Sequence, residues 1–402
     1  MMLKLRVASC ALAVWTLGFS LPVGASRLDD ALEAAEAGKQ FVDLSAVPAY
    51  QYALDEGKDT GNYSLDAIGT AQLIARDPAG LGDTTLVIWL NSADKIEGMN
   101  SGPELAGDAG LLWNTNGNPS DSASTTLLVL GFDQWLFNDK VSVGVGKYFP
   151  GQFFLLSPYT ADNSNTFQSS LIADNPVAGF WESIGIGFNA AYYGDNFTIQ
   201  GGFVDAQADN DGLDFSSFGA GNYSYVLEYA YTPQREDGLT SFSLLGYVVD
   251  EHDKLRTERG VATQFTHEFG QQSEFAAFGR YTVKSGGTAQ AASAQSSEPK
   301  VEHGGFAGIA WNRPFGRENQ QLAAAAMYGE PGKFQDTQGF NDQFGVEAYW
   351  KLGLNSVVQL TPSLQLMRND DDDLEAIVGL RLFMGFNRSW AGAFFGSSSS
   401  AN

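Results

Sequence analysis

The sequence is poor in the residues that carry thiol, metal and nucleic-acid chemistry. Cys10 is the only cysteine among 402 residues and lies in a predicted leader, so we expect neither disulfides nor thiol chemistry. The three histidines, His252, His267 and His303, are far apart and follow no metal-ligand spacing. Only 23 basic residues stand against 47 acidic ones, and the net charge of -24 excludes nucleic acid as a partner by like-charge repulsion.

Long apolar runs are absent after the first residues of the chain. Lys4 and Arg6 precede an apolar stretch from Val7 to Leu21, and small residues follow at Val23-Gly24-Ala25. This order predicts a secretory signal peptide over residues 1–25. No later stretch approaches the roughly 20 consecutive apolar residues that a membrane helix needs.

Catalytic and metal-binding constellations are also missing. Asp209-Asn210-Asp211-Gly212 resembles the start of a calcium loop, but Gln207 and Phe218 stand where an EF-hand needs acids. The acidic run at 369–373 is interpreted as a solvated loop, with a divalent-cation site bridging lipopolysaccharide as the alternative. We therefore predict no enzyme activity, no cofactor and no metal site.

The sequence is rich in glycine and phenylalanine, with 46 and 28 residues. From about Phe41 onward, apolar and polar residues alternate with a period of two. Such alternation places successive side chains on opposite faces of a sheet. The last alternating stretch, residues 377–386, has two different faces. One face is apolar and consists of Val378, Leu380, Leu382, Met384 and Phe386. The other face contains one charge and two glycines and consists of Ile377, Gly379, Arg381, Phe383 and Gly385. The second face suits a water-filled lumen.

About sixteen such strands are predicted. Their spans are 44–53, 61–74, 84–94, 124–133, 139–147, 182–192, 195–204, 222–232, 240–249, 259–269, 273–283, 302–311, 320–329, 341–352, 355–367 and 375–386. Tight and long connections alternate, which is typical of a barrel with short periplasmic turns and long extracellular loops. The prediction is an all-β fold, a transmembrane antiparallel up-and-down β-barrel; a soluble lectin-like sandwich would alternate as well but has no reason for this loop asymmetry.

The segments outside the strands complete the domain organisation. Residues 26–43 are predicted to be a periplasmic lead-in, partly helical, residues 44–386 an outer-membrane barrel domain, and residues 387–402 a flexible tail. Aromatic residues near strand ends are interpreted as interfacial girdles: Trp89, Trp135, Trp181, Tyr192, Tyr193, Trp311 and Trp350.

Several segments together resemble the OprB-type carbohydrate-selective porins of Gram-negative outer membranes. The collinear set comprises Leu136–Lys147 (LFNDKVSVGVGK), the loop Tyr148–Val177, Gly202–Asp209, Val226–Pro233, Leu360–Leu366 and Gly379–Leu382. The sequence departs from the family pattern at Gly144 and Val145, where a basic residue is expected. A family member usually ends in an aromatic residue, whereas here Phe386 is followed by sixteen more residues, among them Phe395.

The resemblance implies a sixteen-stranded barrel that acts as a monomer, with a trimer as the alternative. It also implies an outer-membrane location, contact with membrane lipid and lipopolysaccharide, and insertion by the barrel-assembly machinery. The implied function is diffusion of glucose and other small sugars through a pore narrowed by inward-folded loops. A general diffusion porin and an envelope structural or adhesion barrel are the alternatives.

Candidate solute-binding residues follow from alternation and from the loops. Sugar hydroxyls need charged or amide partners and a sugar ring face needs an aromatic surface, with binding weak enough for release. On the lumen face we predict Glu228, Arg280, Glu347 and Arg381, with Lys147 at a strand end. The loop candidates are Trp113, Phe153, Phe154, Tyr159, Asn163 and Asn165. For each, the alternative is that the charge only braces the wall or that the aromatic ring only packs the loop.

Overall fold

The computed structural model shows one closed barrel of sixteen antiparallel strands, each paired with its neighbours in sequence and β1 paired with β16. The residues it describes are 40–54, 61–75, 82–95, 100–117, 124–160, 166–208, 212–235, 238–252, 255–288, 290, 300–355 and 357–386. The predicted signal peptide, residues 26–39 of the predicted lead-in and the predicted tail lie outside these ranges.

The predicted number of strands is confirmed. The strands are β1 (Gln40–Ala53), β2 (Gly61–Ala75), β3 (Thr84–Lys95), β4 (Ser124–Leu136), β5 (Val141–Tyr148), β6 (Gly185–Tyr193), β7 (Phe197–Asp205), β8 (Tyr223–Tyr231), β9 (Thr240–Val249), β10 (Glu258–Phe269), β11 (Phe275–Gly286), β12 (Val301–Asn312), β13 (Gln320–Pro331), β14 (Gln343–Gly353), β15 (Val358–Arg368) and β16 (Leu374–Phe386). The boundary between the predicted lead-in and the barrel was wrong, because residues 40–43 begin β1 and pair with β2. The other strand ends differ from the predicted ones by up to three residues, as in β6, which begins at Gly185 and not at residue 182.

In the barrel wall, apolar side chains point outward and polar side chains point inward, which is the reverse of a soluble protein. Its outward side chains are large, apolar and exposed, as at Leu227 (61%), Ile309 (65%) and Phe344 (52%), whereas Glu347 and Arg381 on the inward face are 0% and 2% exposed. A closed barrel with an apolar outer belt and a polar interior satisfies every ladder hydrogen bond and presents only apolar surface to lipid. This is the arrangement of an outer-membrane barrel.

The two rims differ as predicted. Tight turns close one rim; in the β4–β5 turn, Phe137, Asn138 and Asp139 all have positive φ. The other rim carries the long connections, of which the two longest contain short helices, α1 (Gly102–Asp108) and α2 (Ser170–Ala173); α3 (Lys333–Thr337) lies between β13 and β14. No helix in the described part of the chain is long and apolar enough to cross a membrane.

Candidate functional site: the loop-narrowed lumen

Two long connections enter the barrel and pack against one side of its inner wall. They are the β3–β4 loop (residues 96–123) and the β5–β6 loop (residues 149–184). Leu105 and Trp113 of the first and Phe167 and Ile172 of the second are buried together with inward wall residues such as Phe278. Apolar burial of this extent fixes both loops inside the barrel. The β5–β6 loop also packs on inward residues of β8 and β9, so the lumen is narrowed from the side of β8–β16, β1 and β2.

Backbone contacts join the two loops to each other. The Gly117 N–H donates to the Gln168 carbonyl at 2.6 Å, and the Ser170 N–H donates to the Asn114 carbonyl at 3.0 Å. The Ser170 hydroxyl accepts in turn from the Asn114 N–H at 3.1 Å. The loops thus form one inserted unit.

Charged side chains of the inner wall hold this unit by its backbone. The Glu347 carboxylate accepts from the N–H groups of Gln168 (2.7 Å) and Ser169 (2.9 Å). The Arg280 guanidinium donates to two carbonyls at the other end of the same segment, those of Leu171 (3.1 Å) and Ile172 (3.0 Å). Charge-assisted hydrogen bonds are about twice as strong as neutral ones, so these two side chains are effective anchors.

The Arg280 guanidinium also lies close to two aromatic rings. Its Cζ lies 5.1 Å from the Phe306 ring centroid and 5.7 Å from that of Trp181. Arg381, on the neighbouring side of the inserted unit, donates to the Thr166 carbonyl at 2.5 Å. Three of the predicted lumen charges are therefore brought together, and the hydrogen bonds described for them go to backbone groups of the loop.

Glu228 and Lys147 lie apart from this group. The Glu228 carboxylate accepts from the Leu155 N–H at 3.1 Å and from the Gln200 amide at 2.7 Å, so it anchors the start of the β5–β6 loop. The Lys147 ammonium donates to the Gly212 carbonyl in the connection between β7 and β8. Both side chains are buried, at 2% and 1% exposure.

The loop aromatics occupy packed positions. Trp113, Phe154 and Tyr159 are buried, and Phe153 is half-buried. Tyr159 stacks on Phe278 with centroids 5.3 Å apart and planes at 4°. Its hydroxyl donates to Glu268 at 2.7 Å and accepts from the Asn312 amide at 2.9 Å. Burial raises the pKa of Tyr159, so the phenol stays protonated as a donor. Asn163 and Asn165 lie outside the described residues.

Sequence reasoning missed a set of neutral anchors. Gln51 and Gln365 both donate to the Thr115 carbonyl, at 2.8 and 2.9 Å, and Gln343 binds the β3–β4 loop at Gly110 and Leu112. Each of these glutamines is at most 1% exposed. Alternation along the strands could have placed these glutamines on the inward face. Their partners could not be predicted in this way, because they are backbone groups distant in sequence.

One further anchor joins the end of the β5–β6 loop to the wall. The Glu258 carboxylate accepts from the Gly179 N–H and from the Tyr247 hydroxyl, both at 2.8 Å. The Lys284 ammonium lies 3.6 Å from the same carboxylate, and all these wall side chains are buried. Both ends and the middle of the loop are thus fixed.

The inner wall formed by β3–β6 is the less covered one. Trp89, Asp133, Trp135, Asn189 and Tyr193 all lie on its inward phase and remain half-exposed. Because the barrel is closed, exposure on this face is exposure to the lumen. The prediction that Trp89, Trp135, Trp181 and Tyr193 belong to interfacial girdles was therefore wrong. Three of these rings point inward from the wall, and Trp181 packs against Arg280 inside the barrel.

The error has a physical reason. The face that a residue occupies after a turn depends on the number of residues in the turn, and a bulge between Trp89 and Leu90 shifts the β3–β4 register. The ends of the strands alone do not determine which face an aromatic residue occupies. Tyr192, Trp311 and Trp350 do lie on the outward phase, where Tyr192 is 44% exposed.

Within the described residues, no group of three or more His, Cys, Asp or Glu side chains is placed to hold a metal ion.

A closed sixteen-stranded barrel with loops folded into its lumen defines the porin class of folds. Among solved structures, that of Pseudomonas putida OprB at high pH matches with a TM-score of 0.72 and 14% identity, covering 90% of this chain and 97% of that chain. The low-pH structure of the same protein matches with a TM-score of 0.54 and 13% identity, covering 90% and 96%. At this identity the similarity establishes the fold.

No protein-family model matches the chain, and no curated protein matches it in sequence.

Proposed function

We propose that this protein is an outer-membrane channel for the passive, carbohydrate-selective diffusion of small sugars such as glucose. The observation that carries the proposal is the narrowed lumen. Glu347, Arg280, Arg381 and Glu258 hold the β5–β6 loop inside the barrel, and buried glutamines of the wall hold the β3–β4 loop. A barrel that served only as an anchor for outer loops would not need its longest connections held inside. The structural likeness to OprB and the collinear sequence segments support the same function.

The anchoring contacts also explain how selectivity for neutral sugars is compatible with several charged side chains on the inward face. The basic groups of Arg280 and Arg381 are buried against loop carbonyls, so they shape the opening and do not present an anion-binding surface. We propose that the predicted lumen charges act on sugar passage through the shape of the loop. Each barrel contains its own path, so the proposed function does not require a second copy.

The test is swelling of liposomes that contain the refolded protein, with glucose, a disaccharide and an amino acid close to glucose in size. Fast entry of glucose, with slower entry of the other two, is expected. Equal entry of glucose and the amino acid would indicate a general diffusion porin. No entry into liposomes that contain a folded barrel would overturn the channel function and favour the envelope anchor.

A further inference from the structure

The exposed wall of the lumen carries an alternating series of aromatic and polar groups. Thr85 pairs with Asp133 across the β3–β4 ladder, and Trp89 lies four residues from Thr85 on the same inward phase, about 13 Å along the strand. Trp135 lies two residues beyond Asp133 in the other direction, about 7 Å away. The series therefore extends over about 20 Å of the wall.

The centre of this series is polar. Asp133, Gly144 and Asn189 are neighbours across β4, β5 and β6. A Cβ atom at Gly144 would lie 2.3 Å from the Asp133 Oδ1, 2.5 Å from the Asn189 Nδ2 and 2.7 Å from the Tyr148 hydroxyl. The three polar groups therefore converge over a residue without a side chain. The Tyr148 hydroxyl also lies 3.3 Å from the Asp133 Oδ1, to which it donates.

Aromatic rings lie on both sides of this polar centre. On one side, Trp89 makes an edge contact with Phe149 of the β5–β6 loop, with centroids 6.3 Å apart. The Trp89 indole N–H is covered and has no partner among the described residues, so the part of the half-exposed ring that meets the lumen is carbon. On the other side, Trp135 and Tyr193 stack with centroids 5.3 Å apart and planes at 25°.

We propose that solute passes along this β3–β6 wall and that it recognises neutral, polyhydroxylated rings there. The C–H faces of a sugar pack on Trp89 and on the Trp135–Tyr193 pair. Its hydroxyls donate hydrogen bonds to the side-chain oxygens of the half-exposed Asp133 and Asn189, while the buried Tyr148 hydroxyl donates to Asp133 from behind. This inference rests on the proposed sugar channel and assigns the residues of its solute path.

The charge of the wall fits a neutral solute. Among the inward side chains that the structure describes on β3–β6, Asp133 carries the charge and the others are neutral. Lys147, at the end of β5, is occupied by the Gly212 carbonyl. One carboxylate among amide, phenol and indole groups repels anions and gives a zwitterion no matched pair, whereas sugar hydroxyls are accommodated.

The test uses the full-length barrel in planar bilayers, with potassium chloride current recorded as glucose is added. Occupancy by glucose lowers the current, and the half-saturating concentration reports binding. Trp135→Ala and Asn189→Ala are each expected to raise that concentration about 3- to 10-fold, with the sugar-free conductance unchanged or slightly increased. Trp135→Phe keeps an aromatic ring. Its shift in the logarithm of the half-saturating glucose concentration should be less than half of the shift caused by Trp135→Ala.

Two variants serve as matched controls. Trp350→Ala removes a tryptophan from the outer face, and Gln359→Ala removes a polar side chain from the inward face of β15 on the opposite wall. Neither should change glucose binding. Heat-modifiable migration in gels verifies that each barrel is folded, and Trp135→Phe together with Asp133→Asn preserves the test if the alanine variants fail to fold.

The possible results distinguish failure of the proposed β3–β6 path from failure of the proposed sugar channel. If the wild type admits glucose but the β3–β6 variants match the two controls, this path is overturned while the sugar channel stands. If the wild type conducts ions but shows no glucose response and no glucose entry, the proposed function fails and this inference fails with it.

Discussion

The two sides of the lumen differ in what their inward side chains contact. On β10–β16 the wall carries Arg280, Glu347, Gln365 and Arg381, and all are buried against loop backbone. On β3–β6 the wall carries buried glycines and the buried Tyr148, together with aromatic rings and polar groups that stay half-exposed. The charged groups thus determine where the loops lie, and the uncharged or weakly polar groups face the open part of the lumen. A channel needs this division, because tight binding in the path would stop release.

The glycines of the less covered wall make room for the side chain of Tyr148. Gly131 and Gly144 lie under the Tyr148 side chain, and a Cβ at Gly131 would come within 2.6 Å of its ring. A wall without side chains gives Tyr148 room to lie flat against β4 and β5. Tyr148 is buried there between the wall and Phe153 of the β5–β6 loop, with ring centroids 5.2 Å apart.

The largest expected effect is release of the inserted unit by Glu347→Ala. The substitution leaves the N–H groups of Gln168 and Ser169 without their acceptor in a buried site, at a cost of about 3 kcal/mol in the stability of the loop position. We expect single-channel conductance to rise severalfold and the preference for glucose over a disaccharide to decrease. Asp371→Asn, in an exposed outer connection, is the matched control; equal conductance of the two variants would contradict the anchoring role.

A smaller effect of the same kind is expected for Arg280→Leu. Leucine keeps apolar contact with Phe306 and Trp181 but donates no hydrogen bond to Leu171 and Ile172, at a cost of about 2 kcal/mol. Conductance should rise about twofold, with more frequent current fluctuations. A quiet channel of wild-type conductance would show that the apolar packing of the loop is sufficient without this anchor.

The opposite wall can be tested by adding a single methyl group with Gly144→Ala. The new Cβ would displace Asp133, Asn189 and the Tyr148 hydroxyl from their present positions. We expect glucose entry into liposomes to fall about two- to threefold while potassium conductance changes less, because the polar groups are reoriented and the barrel stays closed. Gly246→Ala, at an outward glycine with open space around it, is the control. A proportional loss of both fluxes would indicate simple narrowing.

Much of the fold could be predicted from sequence because a closed barrel repeats one rule. Apolar and polar residues alternate along every strand, and turn residues interrupt them, so the strand count and most boundaries followed from the pattern. Residues such as Glu347 and Arg381 could be placed on the inward face for the same reason.

What these inward residues contact could not be predicted in the same way. The partners of Glu347 are backbone groups 178 and 179 residues away, and no periodic pattern encodes a loop that folds back across the barrel. The helix α1 did have a local signal, since Ser101 and Glu104 form a capping box that holds its first turn. The convergence over Gly144 depends on the register of three strands, which alternation does not determine.

The smallest effect is expected from Tyr159→Phe on the covered side. Phenylalanine keeps the stack on Phe278 but loses the bonds of the hydroxyl to Glu268 and Asn312, at a cost of about 1 kcal/mol. Because most of the burial remains, mean conductance should stay within about 20% of wild type while current noise increases. Noise analysis of long single-channel recordings measures this, with Tyr328→Phe, whose hydroxyl binds Glu330 near the rim, as the control. Equal noise in the two variants would mean that ring packing alone holds this part of the loop, and that its polar contacts matter less than those of Glu347.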